Sequence, residues 1–172
     1  MRSDRNRFLR RCSYALLLLV LFLLSHSRGT AIVLWQATVD ATPFLLAAIA
    51  IFEGPYTAGI FGFFAGMLES LHSTRVEGLA ALYLALFFLL FGLIGASSLR
   101  PVLPNALLGG SACILLRGVL RYVFFYLFVY RMSLSVALRQ LAAEWLPALP
   151  IGVLLWFIVR ALRRRFREGV EE

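Results

Sequence analysis

Uncharged apolar runs recur from one end of this chain to the other, and they decide what it can fold into. The first is Tyr14–Leu24, and similar runs fill most of the chain as far as Leu162. A segment that lies in lipid must satisfy its own backbone hydrogen bonds, which a helix does internally. About 20 residues of helix match the ~30 Å hydrocarbon core of a bilayer. Of the 172 residues, 61% are hydrophobic, more than a soluble domain of this size needs. The expected fold is therefore an all-α integral membrane protein with six transmembrane helices, at 12–27, 41–53, 55–71, 79–97, 105–130 and 146–162. One compact bundle uses the whole chain, 1–172, and leaves no room for a separate soluble domain.

The net charge of +8 comes from 17 basic residues, all of them Arg, against 9 acidic ones. They cluster at the two termini beside apolar spans, so membrane topology and anionic lipid heads account for them better than nucleic acid does. Eleven of the 17 fall in Met1–Arg11, at Arg100 and from Arg160 to Arg167. Arg28, Arg75, Arg131 and Arg139 fall on the opposite side of a six-span arrangement. The excess of arginine on the cytoplasmic side places both termini there. A basic start followed by a short apolar core also resembles a signal peptide. The many later spans favour its retention as the first helix.

Several breaks refine the spans. Asp is a preferred helix N-cap and Pro is tolerated in the first turn, so Asp40 and Pro43 predict a helix beginning at Ala41. That leaves Ala31–Val39, with Trp35, as an outer interfacial or re-entrant piece. Glu53, Gly54 and Pro55 read as a turn, with Pro opening the next helix. Residues 132–145 repeat apolar side chains at intervals of three and four, an amphipathic pattern suited to the outer interface. Arg139, Gln140 and Glu144 fall largely outside that stripe. Pro147 and Pro150 predict a kink or a late start for the final span. Cys12 and Cys113 are too isolated to suggest a structural disulfide, and His26 and His72 read as lone loop residues with no metal role.

Four ionisable residues remain inside the apolar stretches: Asp40, Glu69, Arg117 and Arg121. Each costs roughly 2.5–3.5 kcal/mol at membrane depth, so such residues persist only when paired or used. The helix rise puts Asp40 about 20 Å from Glu53, Glu69 about 21 Å from Pro55, and the two arginines about 18 and 24 Å from Asn105. All four share one level in the outer half of the bilayer. The expectation is a buried ionic layer in which Glu69 meets one arginine and Asp40 meets the other or its own helix N-terminus. A pair at 4 Å in an effective dielectric of 20 gains about 4 kcal/mol, comparable to the insertion cost of one charge. The alternative is that Asp40 only caps its helix while the arginines snorkel outward.

Gly59, Gly62 and Gly66 fall on one stripe of the third span, and Glu69 shares it. Small residues on one face let another helix approach closely in lipid. That neighbour is either a partner protein or another helix of the same bundle.

Residues Val39–Leu46 (VDATPFLL), Phe52–Pro55 (FEGP), Gly62–Ser70 (GFFAGMLES) and Glu77–Leu82 (EGLAAL) together resemble MreD, the rod-shape-determining membrane protein of bacteria. The family pattern has Pro–Asp/Asn at the start of its second helix, then a Gly-Phe-x-x-Gly-x-x-x-Asp helix, then a Leu-Gly-x-x-x-Leu opening. Gly62, Phe63, Gly66 and Gly78 stand at matching places. Val39 replaces the family Pro and Glu69 the family Asp, which keeps the charge on a longer arm. From Asn105 onward only the general character matches.

The resemblance implies a non-enzymatic scaffold or regulator of cell elongation in the bacterial cytoplasmic (inner) membrane, without cofactor or metal. Its partners would be MreC, the RodA glycosyltransferase with its class B penicillin-binding protein, indirectly MreB, and membrane lipids. The family fold is also similar to the substrate-capturing S-components of vitamin transporters. The alternative function is thus a small-molecule capture subunit, with Asp40 and Arg117 touching the ligand. An enzyme acting on lipid lacks support: no Ser–His–Asp set or spaced carboxylate pair occurs, and without Lys there is no P-loop.

Overall fold

The structure is a computed structural model that describes residues 2–26, 33–34, 37–38, 40–72, 78–98, 101–123 and 134–168. Among the described residues six helices carry the fold: α1 (Arg2–His26), α2 (Thr42–Glu53), α3 (Pro55–His72), α4 (Leu79–Ser98), α5 (Leu103–Arg121) and α6 (Leu134–Glu168). A short antiparallel hairpin, β1 (Val33–Leu34) with β2 (Ala37–Thr38), precedes α2 and runs alongside α6.

The shortest helix is the centre of the molecule. Every residue of α2 from Pro43 to Ala50 is buried, whichever way it faces. A helix that is apolar all round can be stable only when other helices surround it, and α3, α4, α5 and α6 all pack on this one. Phe44 shows how closely: its ring fills the notches left by Gly110 on α5 and Gly152 on α6. Around it the core gathers Leu45, Ile49, Phe88, Cys113, Trp156 and Val159. α1 adds Tyr14 and Leu18 to the same core, so the first helix is part of the packed structure.

Among the described residues three stretches are long and apolar enough to cross a membrane by length and composition: Phe8–Ser25, Leu103–Arg121 and Leu134–Arg165. That is fewer than the six expected. The 12 residues of α2 rise only about 18 Å, well short of a ~30 Å core. In α4 the apolar stretch is Leu79–Gly95, just under the usual span length.

The helix boundaries differ from the sequence reading in places. α2 starts one residue late, with Ala41 as its N-cap and Pro43 in the first turn. The expected span 105–130 begins at Leu103 and ends its α-helix at Arg121, followed by a π-type turn at Tyr122–Val123. The rest of that span, 124–130, lies outside the described residues, as do Trp35 and the loop 73–77. His26 and His72, expected in loops, close α1 and α3.

The largest correction concerns the C-terminal third. From Leu134 onward, the amphipathic segment expected at 132–145 and the span expected at 146–162 are one helix, α6, which continues through Pro147 and Pro150. Side-chain contacts to α5 account for this. Leu141 seats against Gly118, the Trp145 indole donates to Ser111 Oγ at 2.9 Å, and Arg121 pairs with Glu144. With these anchors just before the prolines, the segment docks on α5 as the start of α6 instead of lying apart from it.

Candidate functional site

Both ends of α2 finish in buried or half-buried charge. At its beginning, Asp40 uses its two carboxylate oxygens for two tasks. Oδ1 accepts the backbone N–H of Thr42 at 3.0 Å, and Oδ2 accepts from Arg117 Nη1 at 2.6 Å. Asp40 is thus one residue outside the cap position and still binds the first turn, where the helix dipole favours an anion. The other terminal nitrogen of Arg117, Nη2, reaches Glu69 Oε1 on α3 at 3.2 Å. One guanidinium therefore holds two carboxylates from two separate elements. The planar fork of arginine makes this possible, because its donors point in fixed, divergent directions.

Arg121, one turn further along α5, does not join them. Its Nη1 meets Glu144 Oε1 on α6 at 2.6 Å. The structure therefore brings Asp40, Glu69 and Arg117 together and places Arg121 beside them with a partner of its own. Of the two partners expected for Asp40, its own helix N-terminus is found through Thr42, and the second arginine is corrected, since Arg117 serves both carboxylates. Glu144 was expected on the polar side of an interfacial helix, and it faces α5 because that helix packs there.

At the far end of α2, Glu53 Oε2 accepts from Arg10 Nη2 at 2.7 Å, and Oε1 accepts from the Tyr14 hydroxyl at 3.3 Å. Arg10 and Tyr14 are one turn apart on α1 and so share a face. The Glu53 side chain is only 5% exposed. Next to it, the Arg163 guanidinium of α6 lies 5.1 Å from the centre of the Phe52 ring, which also stacks on Trp156 at 4.5 Å. In the sequence Glu53 reads as a turn residue alone. The signal that could have found this cluster was present: Arg10 and Glu53 fall at the same expected membrane face with opposite charge.

Comparison of the chain with known protein families, curated proteins and solved structures finds no match.

The glycine stripe faces inward. A Cβ at Gly62 would lie 2.8 Å from the Leu84 carbonyl oxygen of α4, and one at Gly66 would overlap the Ala81 backbone. At Gly59 it would sit 3.2 Å from Leu89 Cβ. α3 and α4 thus touch backbone to backbone, and the helix that the stripe receives is α4 of this same chain. That face has no room for a partner. Phe63, which flanks the stripe one turn on from Gly59, is exposed.

Gly78 has a different part. It opens α4 with φ +83, a conformation that costs a residue with a side chain roughly 1–2 kcal/mol. Its N–H donates to Ser70 Oγ at 3.3 Å, and the Ser70 hydroxyl donates to the Gly66 carbonyl at 2.8 Å. Gly66, Ser70 and Gly78 form one chain of hydrogen bonds that closes the α3–α4 hairpin one turn beyond its tightest contact.

Among the described residues no group of three or more His, Cys, Asp or Glu could hold a metal ion. What the arrangement does chemically is hold: Arg117 ties the start of α2 to α3 and α5, and Arg121 ties α5 to α6.

Proposed function

We propose that this chain is a non-enzymatic membrane scaffold of the MreD type, acting in the bacterial cell-elongation machinery. In this reading α1, α3, α4, α5 and α6 cross the cytoplasmic membrane, and α2 makes the second passage together with the hairpin before it. Both termini are cytoplasmic. The Arg117 cluster then lies toward the outer face and the Glu53 cluster toward the inner face, in keeping with the arginine-rich ends of α1 and α6.

One observation carries the proposal. The two acidic positions of the MreD-like pattern, Asp40 and Glu69, come from different elements and share a single guanidinium. Gly66 and Gly78 of the same pattern are linked through Ser70. A pattern whose charged members meet and whose glycines close one helical hairpin behaves as a structural signature, its carboxylates and the Ser70 hydroxyl being engaged with other groups of the bundle. A rigid bundle with an exposed apolar surface suits a part that positions other membrane proteins. In the capture-subunit alternative Asp40 and Arg117 would be available to a ligand; here they bind each other.

The partners are MreC-like and RodA-like proteins and the class B penicillin-binding protein. Affinity capture from native membranes should recover them. Depleting the chain in its host should turn rods into spheres. Normal rods in a strain with no second copy would overturn the proposal.

A further inference from the structure

Arg10 and Arg11 are neighbours on α1 but point to different places. Arg10 turns to Glu53, whereas Arg11 lines a groove between α1 and α3 with Cys12, Ala15, Tyr56, Thr57, Ile60, Phe61 and Phe64. The groove holds about 360 Å³, within the range of small-ligand sites. Its floor is firm, since Phe61 packs edge-on against the buried Tyr14 ring at 6.4 Å.

The groove is graded along its length. Arg11, Tyr56 and Thr57 sit at one end, near the N-terminus of α3. Ile60, Phe61 and Phe64 follow Thr57 at three, four and seven residues, which puts them on one stripe of α3 running away from the polar end. Arg11 makes no ion pair among the described residues, so its charge is open to an external anion. A partner helix would present apolar side chains along the whole groove and leave that charge unanswered. An amphiphile with an anionic head and a hydrocarbon tail answers both ends.

We infer that this groove binds one anionic phospholipid, with its phosphate on Arg11 and the hydroxyls of Tyr56 and Thr57, and one acyl chain along Ile60, Phe61 and Phe64. The inference requires that the chain be embedded in a bilayer, but it does not require the scaffold role. In the topology above, the polar end lies at the cytoplasmic headgroup level.

The test uses the purified full chain in phosphatidylcholine nanodiscs with and without phosphatidylglycerol, followed by native mass spectrometry after delipidation. Wild type should keep one phosphatidylglycerol in preference to phosphatidylcholine. Arg11→Gln should weaken that retention about fivefold, the effect of one basic residue at an anionic surface. Since Arg11 is exposed, the variant should fold as wild type does. A photoactivatable benzoylphenylalanine in place of Ile60 should yield a lipid adduct in native membranes. Equal retention of the two lipids, no change in Arg11→Gln, or a discrete protein adduct at position 60 would each overturn the inference. None of these readouts depends on cell shape or on recovered partners, so failure here is distinguishable from failure of the scaffold reading.

Discussion

The two ends of α2 use the same pair of functional groups on opposite terms. Asp40 sits at the end of the helix where the dipole favours an anion, and it already accepts a backbone N–H there. Arg117 is therefore free to hold a second acid, Glu69, and so joins three elements. Glu53 sits at the opposite end, where the dipole disfavours an anion by about 0.3–1 kcal/mol. Arg10 and the Tyr14 hydroxyl must offset that and the burial of the carboxylate together. One end is a junction between helices; the other is a neutralised cap. A central helix too short to cross a membrane is fixed at both ends by arginine, for different reasons.

Substitutions should separate the two. The largest effect belongs to Arg117→Met, which leaves two carboxylates facing each other; breaking a buried pair this way costs about 3–5 kcal/mol. Thermal denaturation in detergent should show the loss, and adding Asp40→Asn with Glu69→Gln should recover most of it, since neutral replacement of a whole buried ionic group is often tolerated. A triple variant no more stable than Arg117→Met would break the junction description.

Arg10→Met should cost about 3 kcal/mol, because Glu53 is the most enclosed carboxylate of the set and the dipole opposes it. Adding Glu53→Gln should restore stability nearly fully, a rescue that needs one change at this end and two at the other. Arg121→Met should cost only about 1 kcal/mol, as its side chain is 31% exposed to solvent screening. The smallest effect is Tyr14→Phe, about 0.5 kcal/mol, for loss of a long hydrogen bond that keeps the ring in place. If Tyr14→Phe exceeded Arg10→Met, the neutralising role would belong to the hydroxyl.

The sequence made heights readable and left neighbours hidden. Helix rise from Glu53, Pro55 and Asn105 was enough to put Asp40, Glu69 and Arg117 on one level. Which acid meets which arginine depends on the order and rotation of helices around α2, and no count along the chain contains that. The Gly59, Gly62 and Gly66 stripe likewise announced a close helix contact without naming α4. Glu144 escaped because a polar side chain on an amphipathic stripe reads as solvated until the helix is seen to dock on α5. α6 escaped because two prolines usually end a helix, whereas contacts from Leu141, Glu144 and Trp145 hold this one together across them.

A double-mutant cycle at Arg117, run separately against Asp40 and Glu69, bears most directly on the junction. Unfolding free energies of Arg117→Met, each neutralised acid and each double variant should give coupling of about 1 kcal/mol or more to both carboxylates. Additive effects at either acid, or coupling of Glu69 to Arg121 in place of Arg117, would contradict it.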